Sequence, residues 1–184
     1  MSLDETIIEE AVSRILQSIG EDPQRQGLKE TPKRVAALYA DLFSGLHKDP
    51  AAELSVTYEG DYRDIVLVRD IRFYSMCEHH LLPFFGSAHI GYVPNGRVVG
   101  TSKLARALEV LAKRPQIQER LTEQLADAVH RALDARGVAV MMEAEHLCMS
   151  MRGVQRPGTR VVTSASRGDI DRGHFLALVQ NSHA

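Results

Sequence analysis

The chain has 184 residues, 44% of them hydrophobic, with 24 acidic against 22 basic side chains and a formal net charge of −2. That length supports one sizeable core, and the apolar content excludes a disordered chain. No apolar run approaches the ~20 residues of a membrane helix, and interspersed charge of nearly balanced sign excludes a general nucleic-acid surface.

The start, Met1-Ser2-Leu3-Asp4-Glu5, lacks the basic stretch and apolar centre of a secretion signal. With only two cysteines, Cys77 and Cys148, the expectation is a cytoplasmic protein with reduced thiols; one disulfide is the alternative. Ile7, Ile8, Ala11, Val12, Ile15 and Leu16 fall at helical spacing and predict a helix ending near Gly20. Thr31 reads as the N-cap of a second helix, with Pro32 in its first turn and Gly45 closing it. The middle reads as strands: 54–59, 65–74, 87–93 and, after the Pro94-Asn95-Gly96 turn, Val98-Val99. Leu104, Ala107, Leu108 and Leu111 stripe a third helix, which Pro115 ends. Ile117, Leu121, Leu125, Ala128 and Ala132 stripe a fourth, with Gly137 as C-cap. Residues 138–152 read as one long strand, 161–163 as a short extended piece, and 174–179 as a closing helix. The order predicts an α+β fold, a mainly antiparallel sheet with helices on one face. A helical segment, 1–50, is expected to precede the main domain, 51–184, the two forming a single structural unit overall.

Each cysteine sits within three residues of a histidine, in Cys77-Glu78-His79-His80 and in His146-Leu147-Cys148. Thiolate and imidazole are ligands zinc prefers, and C-x-x-H spacing lets one turn aim Cys77 and His80 at one ion. Cys148 would make a third ligand. Two cysteines exclude a Cys₄ site, and a Cys₂His₂ site would need His79, His89 or His146 as well. Three protein ligands plus water is the catalytic pattern, which leaves His79 or His146 to move protons. Strand alternation over 138–152 would place His146, Cys148, Ser150 and Arg152 on one face, with Leu147, Met149 and Met151 in the core.

Ser102, Lys103 and Arg106 open a helix, where exposed N–H groups, a hydroxyl and two cations make an anion cradle; two solvated side chains are the plainer reading. Gln118 and Glu119 begin the next helix. Glu119 suits that position without a ligand, and its carboxylate could also accept two N–H bonds from a base such as guanine. Arg34 by itself is a surface arginine.

Four stretches closely resemble GTP cyclohydrolase I: 75–80 (SMCEHH), 100–106 (GTSKLAR), 114–121 (RPQIQERL) and 145–155 (EHLCMSMRGVQ). Glu30-Thr31-Pro32-Lys33-Arg34-Val35-Ala36 matches the family's N-terminal helix motif, and the resemblance runs in order from about residue 5 to the end. It implies a tunnelling fold, in which subunit sheets join in an oligomeric barrel, typically a homodecamer of two pentamers with sites at subunit interfaces. The implied reaction converts GTP and water to 7,8-dihydroneopterin triphosphate and formate, the entry to folate and tetrahydropterin synthesis. Carried over by position, Cys77, His80 and Cys148 would bind zinc, which activates water toward C8, with His79 donating a proton toward N7. His146 and Ser102 would assist later proton transfers. Gln118 and Glu119 would hold guanine, and Lys103, Arg106, Arg152 and Arg34 the triphosphate. Thr101 stands where the family often has leucine, and the stretch between Gly168 and Phe175 is shorter than usual. No long regulatory extension precedes the first helix, so feedback control of the animal type is not expected. The rival readings are another enzyme on the same fold and a zinc-stabilised nucleotide-binding oligomer without turnover.

Overall fold

The computed structural model of the chain describes residues 3–181. Met1 and Ser2, in the stretch read for a secretion signal, and 182–184, at the end of the expected 51–184 segment, lie outside the described residues. Helix α1 (Glu5–Ser18) is capped by Asp4, whose carboxylate accepts from the Ile7 N–H at 3.1 Å. Its apolar stripe is wider than its neighbour α2 (Thr31–Leu42) covers. Ile8, Val12 and Leu16 are half-buried, while Ile7 and Ile15 are exposed. Thr31 is the first residue of α2 rather than its cap; Glu30 caps it without a side-chain bond, because Pro32 already suits the first turn. The end of α2 docks on the rest of the chain through Gly45. Its N–H bonds to the Lys113 carbonyl, and a side chain there would collide with the Val110 carbonyl oxygen.

The strand expected over 54–59 is shorter than that. Asp49 and Pro50 start a helical turn, α3 (Pro50–Glu53), and only β1 (Thr57–Glu59) is extended. β1 pairs with β4 (Arg97–Val99) in a separate antiparallel ribbon. The main sheet has five strands in the order β5-β2-β3-β6-β7. Here β2 is Val66–Cys77, β3 Pro83–Val93, β5 Pro115–Gln116, β6 Gly137–His146 and β7 Val161–Gly168. All of its neighbours are antiparallel except β5, which runs parallel to the end of β2 at Met76 and Cys77.

Side chains alternate across this sheet. Val138, Val140, Met142 and Ala144 of β6 join the main core with Phe73, Phe84, Ile90 and the leucines of α4 (Thr101–Ala112) and α5 (Gln118–Leu133). Leu104, Leu108, Leu111, Leu121 and Leu125 are each at most 2% exposed, so each contributes about 1.5–3 kcal/mol by burial. The intervening Ala139 and Met141 face the other way and meet Phe175 and Val179 of α7 (Arg172–Gln180). The helices are therefore not all on one face: α4 and α5 cover one side, and α7 caps one end of the other. Gly91 makes room for that cap, since a side chain there would collide with the Phe175 ring.

Two further expectations need correction. Helix α5 ends at Asp134, held in the left-handed region at φ 47°, and Gly137 instead opens β6. The strand expected over 138–152 stops at His146. Residues Leu147–Ser150 turn into a short helix, α6, and 151–160 form an exposed loop. Met151 is accordingly 61% exposed rather than core. Among the described residues no helix is long and apolar enough to cross a membrane.

Candidate metal centre and active site

Strand β2 ends on Cys77, and the chain turns at once. The Cys77 carbonyl accepts from the N–H groups of His80 and Leu81, and the Cys77 N–H donates to Leu82. Leu81, at φ 50°, completes the reversal into β3. This single turn gives Cys77 and His80 a common side, as the C-x-x-H spacing predicts. The Glu78 N–H donates to the Gln116 carbonyl, which ties the turn to β5. Because β5 leads straight into α5, Gln118 and Glu119 arrive beside the same turn. A two-residue strand flanked by helices has no period to detect, so sequence reading recorded only the helix-ending effect of Pro115.

Cys148 comes to this place by a different route from the one strand alternation suggested. It lies on the helical turn α6, and Arg152 follows in the loop just beyond that turn. Both reach His80. The ligand atoms of Cys77, His80 and Cys148 lie within 4.8 Å of one another. Tetrahedral zinc needs its sulfur and nitrogen ligands about 3.5–3.8 Å apart, so a small contraction suffices. Cys77 Sγ and His80 Nδ1 are already 3.9 Å apart. Neither cysteine is in a disulfide. Burial, and then the adjacent Cys77 sulfur, push the Cys148 thiol above its ordinary value. Two thiols crowded against an imidazole are a donor set that suits a soft divalent ion, which displaces their protons on binding.

The loop that carries Cys148 is closed from below. Glu145, the penultimate residue of β6, accepts from Ser150 Oγ at 2.8 Å and from the Gly158 N–H at 3.3 Å. The Ser150 hydrogen bond, followed by the Gly158 N–H, holds the Glu145 carboxyl below the usual carboxylate range. Sequence reading missed Glu145, because its partners are joined to it only by the fold of the loop.

Two more histidines flank the ligands. His79 is 65% exposed, with Nδ1 3.9 Å from Cys77 Sγ and Nε2 3.8 Å from Glu78. Glu78 pairs with Arg120, and the Arg120 bond leads the causes that lower the Glu78 carboxyl. His146 is half-buried and stacks flat on Phe84, with centroids 4.7 Å apart and planes at 6°. Burial lowers its imidazole below the ordinary value, and the nearby Glu119 carboxylate opposes that shift. Its Nε2 lies 2.8 Å from Gln118 Oε1. Arg152 Nη1 lies 2.7 Å from His80 Nε2 and donates to it.

The remaining expected residues lie elsewhere. Ser75 Oγ donates to the Ala112 carbonyl, so the last turn of α4, not its first, is near Cys77. Ser102 is ten residues back along α4, roughly 15 Å. The Val99 N–H, just before α4, donates to the Tyr92 hydroxyl, at the end of β3 away from Phe84 and His146. Arg106 lines a cavity of about 280 Å³ with Ile71, Phe73 and Tyr74 of β2. Arg34 is exposed in the first turn of α2. Among the described residues the side chains of Arg34, Ser102, Lys103 and Arg106 make no hydrogen bond or ion pair. One chain thus assembles Cys77, His79, His80, Gln118, Glu119, His146, Cys148 and Arg152, and leaves the other four apart.

A family model described as GTP cyclohydrolase I matches residues 8–179. The chain belongs to the GTP cyclohydrolase I family. A Dehalococcoides mccartyi protein named GTP cyclohydrolase 1 is 58% identical, with 98% of this chain and 99% of that one covered. A Geobacillus protein of the same name is 54% identical, covering 94% and 95%. One from Streptococcus agalactiae is 51% identical, covering 94% and 96%. At such identity over nearly whole chains, the GTP cyclohydrolase I family displaces both the other enzymes of the fold and a binding-only oligomer as the reading.

Proposed function

We propose that this chain hydrolyses GTP to 7,8-dihydroneopterin triphosphate and formate, the first step toward folates or related tetrahydropterins, with zinc held by Cys77, His80 and Cys148. The observation that carries the reading is the convergence of these three ligands with two further imidazoles, His79 and His146, at one turn. A zinc ion there supplies polarised water for attack on the purine C8. His79, on the open side, gives a proton toward N7. His146 exchanges protons during the later ring rearrangement. Glu119, exposed in the first turn of α5, accepts the paired N–H groups on the guanine edge. A neutral imidazole has one lone pair, so with His80 holding a metal that lone pair would be closed to Arg152, whose guanidinium would be left for the triphosphate.

Ser102, Lys103 and Arg106 stand at an N-terminus that no side chain caps, which suits phosphate oxygens. They serve the metal centre of another copy, together with Arg34. Three features support an assembly of this kind. The site is incomplete in one chain; Ile7, Ile15 and Leu38 leave an apolar face on α1 and α2; and the sheet ends at β7 with its outer edge unpaired among the described strands. Sheets joined edge to edge in a barrel, in a decamer of two pentamers, would cover those edges. The test is to incubate the protein with GTP, with and without a chelator, and follow formate and the fluorescence of the oxidised pterin. Chelator-sensitive release of both is expected; turnover unaffected by complete metal removal would end the zinc assignment.

A further inference from the structure

Gln118 is completely buried, and its amide is used up inside the chain. Its nitrogen is 3.2 Å from the Met142 carbonyl, 2.9 Å from the Val161 carbonyl and 3.1 Å from Thr163 Oγ1. The Thr122 hydroxyl gives its proton to the Gln118 main-chain carbonyl at 2.8 Å. At 2.7 Å from it, the Thr163 hydroxyl must therefore donate to Thr122 Oγ1, and so presents only lone pairs to the Gln118 amide. Three acceptors face one NH₂ group, which leaves a single orientation for the amide. Gln118 Oε1 then points at His146 Nε2, and an amide oxygen can only accept. The proton of the neutral His146 ring is consequently on Nε2, and its lone pair is on Nδ1. Phe84 sets the plane of the ring, and Gln118 sets its rotation and tautomer.

We propose that Gln118 is a positioning residue: its side chain does not hold the purine but fixes His146 as the Nε2–H tautomer, so that Nδ1 is the nitrogen that exchanges protons with the substrate. This rests on the reading of His146 as a proton carrier for GTP hydrolysis. A side chain with no exposed surface and every donor committed cannot reach a base without breaking its own network, which leaves guanine to Glu119.

The test combines spectroscopy and kinetics on the zinc-loaded, full-length enzyme. Nitrogen-15 spectra of labelled histidine should show His146 with its proton on Nε2 and an unprotonated Nδ1. In Gln118→Met that signature should give way to a tautomer mixture. Its kcat should fall about ten- to a hundredfold, as when an orienting partner of a working histidine is lost, with KM for GTP changed less than about threefold. Gln118→Glu, whose carboxyl stays protonated when buried so deeply, keeps an acceptor for His146 and should recover most of the loss. A wild-type spectrum with the proton on Nδ1 overturns the proposal even if neither variant folds. So does a raised KM with unchanged kcat in Gln118→Met, which would return the side chain to guanine binding. Failure of the functional reading itself would appear separately, as a wild-type protein that releases no formate from GTP.

Discussion

The candidate metal end of the sheet and the first turn of α4 both carry residues proposed for one reaction, yet the chain treats them differently. At the metal end the histidines and the Cys148 loop have supporting partners, whereas the Glu119 side chain makes no hydrogen bond or ion pair among the described residues. Phe84 and Gln118 hold His146, Glu145 holds the loop of Cys148, and the Glu78–Arg120 pair stands behind His79. At α4, Ser102, Lys103 and Arg106 stand without side-chain partners. The contrast follows from the chemistry. Ligand and proton-transfer geometry must be held to fractions of an ångström, and a folded chain supplies that from behind. Phosphate oxygens tolerate looser aim, so cations on flexible stems can be presented by a neighbouring copy.

The comparison can be broken most severely at the metal. Cys148→Ser should lose zinc and turnover together, measured by metal analysis and formate release; full activity with normal zinc would defeat the assignment. Next, Cys148→Ser and Arg106→Ala, each inactive alone, should recover activity when unfolded together and refolded as a mixture. If each site draws on two copies, roughly a quarter of the sites are intact. No recovery in verified mixed assemblies would mean that one chain builds the whole site. A smaller effect is expected behind the ligands. Glu145→Ala should loosen the loop and lower zinc affinity about tenfold in competition with a chelator, while Cys77 and Cys148 remain.

The smallest effect lies away from both regions. His89 is buried in β3 near Asp70, Arg69 and Glu143, and burial pushes its imidazole below the ordinary value of 6.5, with Arg69 adding to the shift and the two carboxylates opposing it. The unfolded chain therefore takes up this proton first as pH falls. Its contribution to stability is complete above pH 6.5 and is lost below it. Melting temperatures recorded from neutral pH down to about 5.5 should fall less in His89→Gln than in the wild type. Equal slopes would show that other groups carry the acid sensitivity.

Much of the chain was legible before folding. Apolar periodicity located α1, α2, α4 and α5, because helices with one buried stripe repeat every three to four residues. The C-x-x-H spacing pointed to two of the three candidate ligands. The stretch from His146 to Arg152 instructs differently: Cys148 and Arg152 do reach His80, but from a single helical turn and the loop after it rather than by strand alternation. A strand and a single helical turn cannot be told apart over so few residues, so the local sequence left the route to His80 open. Likewise Pro115-Gln116 gave no strand signal, since its pairing with Met76 and Cys77 exists only once β2 is in place.

By itself, then, the sequence determined which side chains could do the chemistry, because ligand type and proton affinity belong to the residue. It also determined the helices, because their hydrogen bonds and stripes are local. Only the tertiary structure decided how those side chains are held. The burial of Gln118, the tautomer of His146, the Glu145 brace and the separation of the α4 cations all depend on contacts between residues far apart in the chain, which no local period encodes.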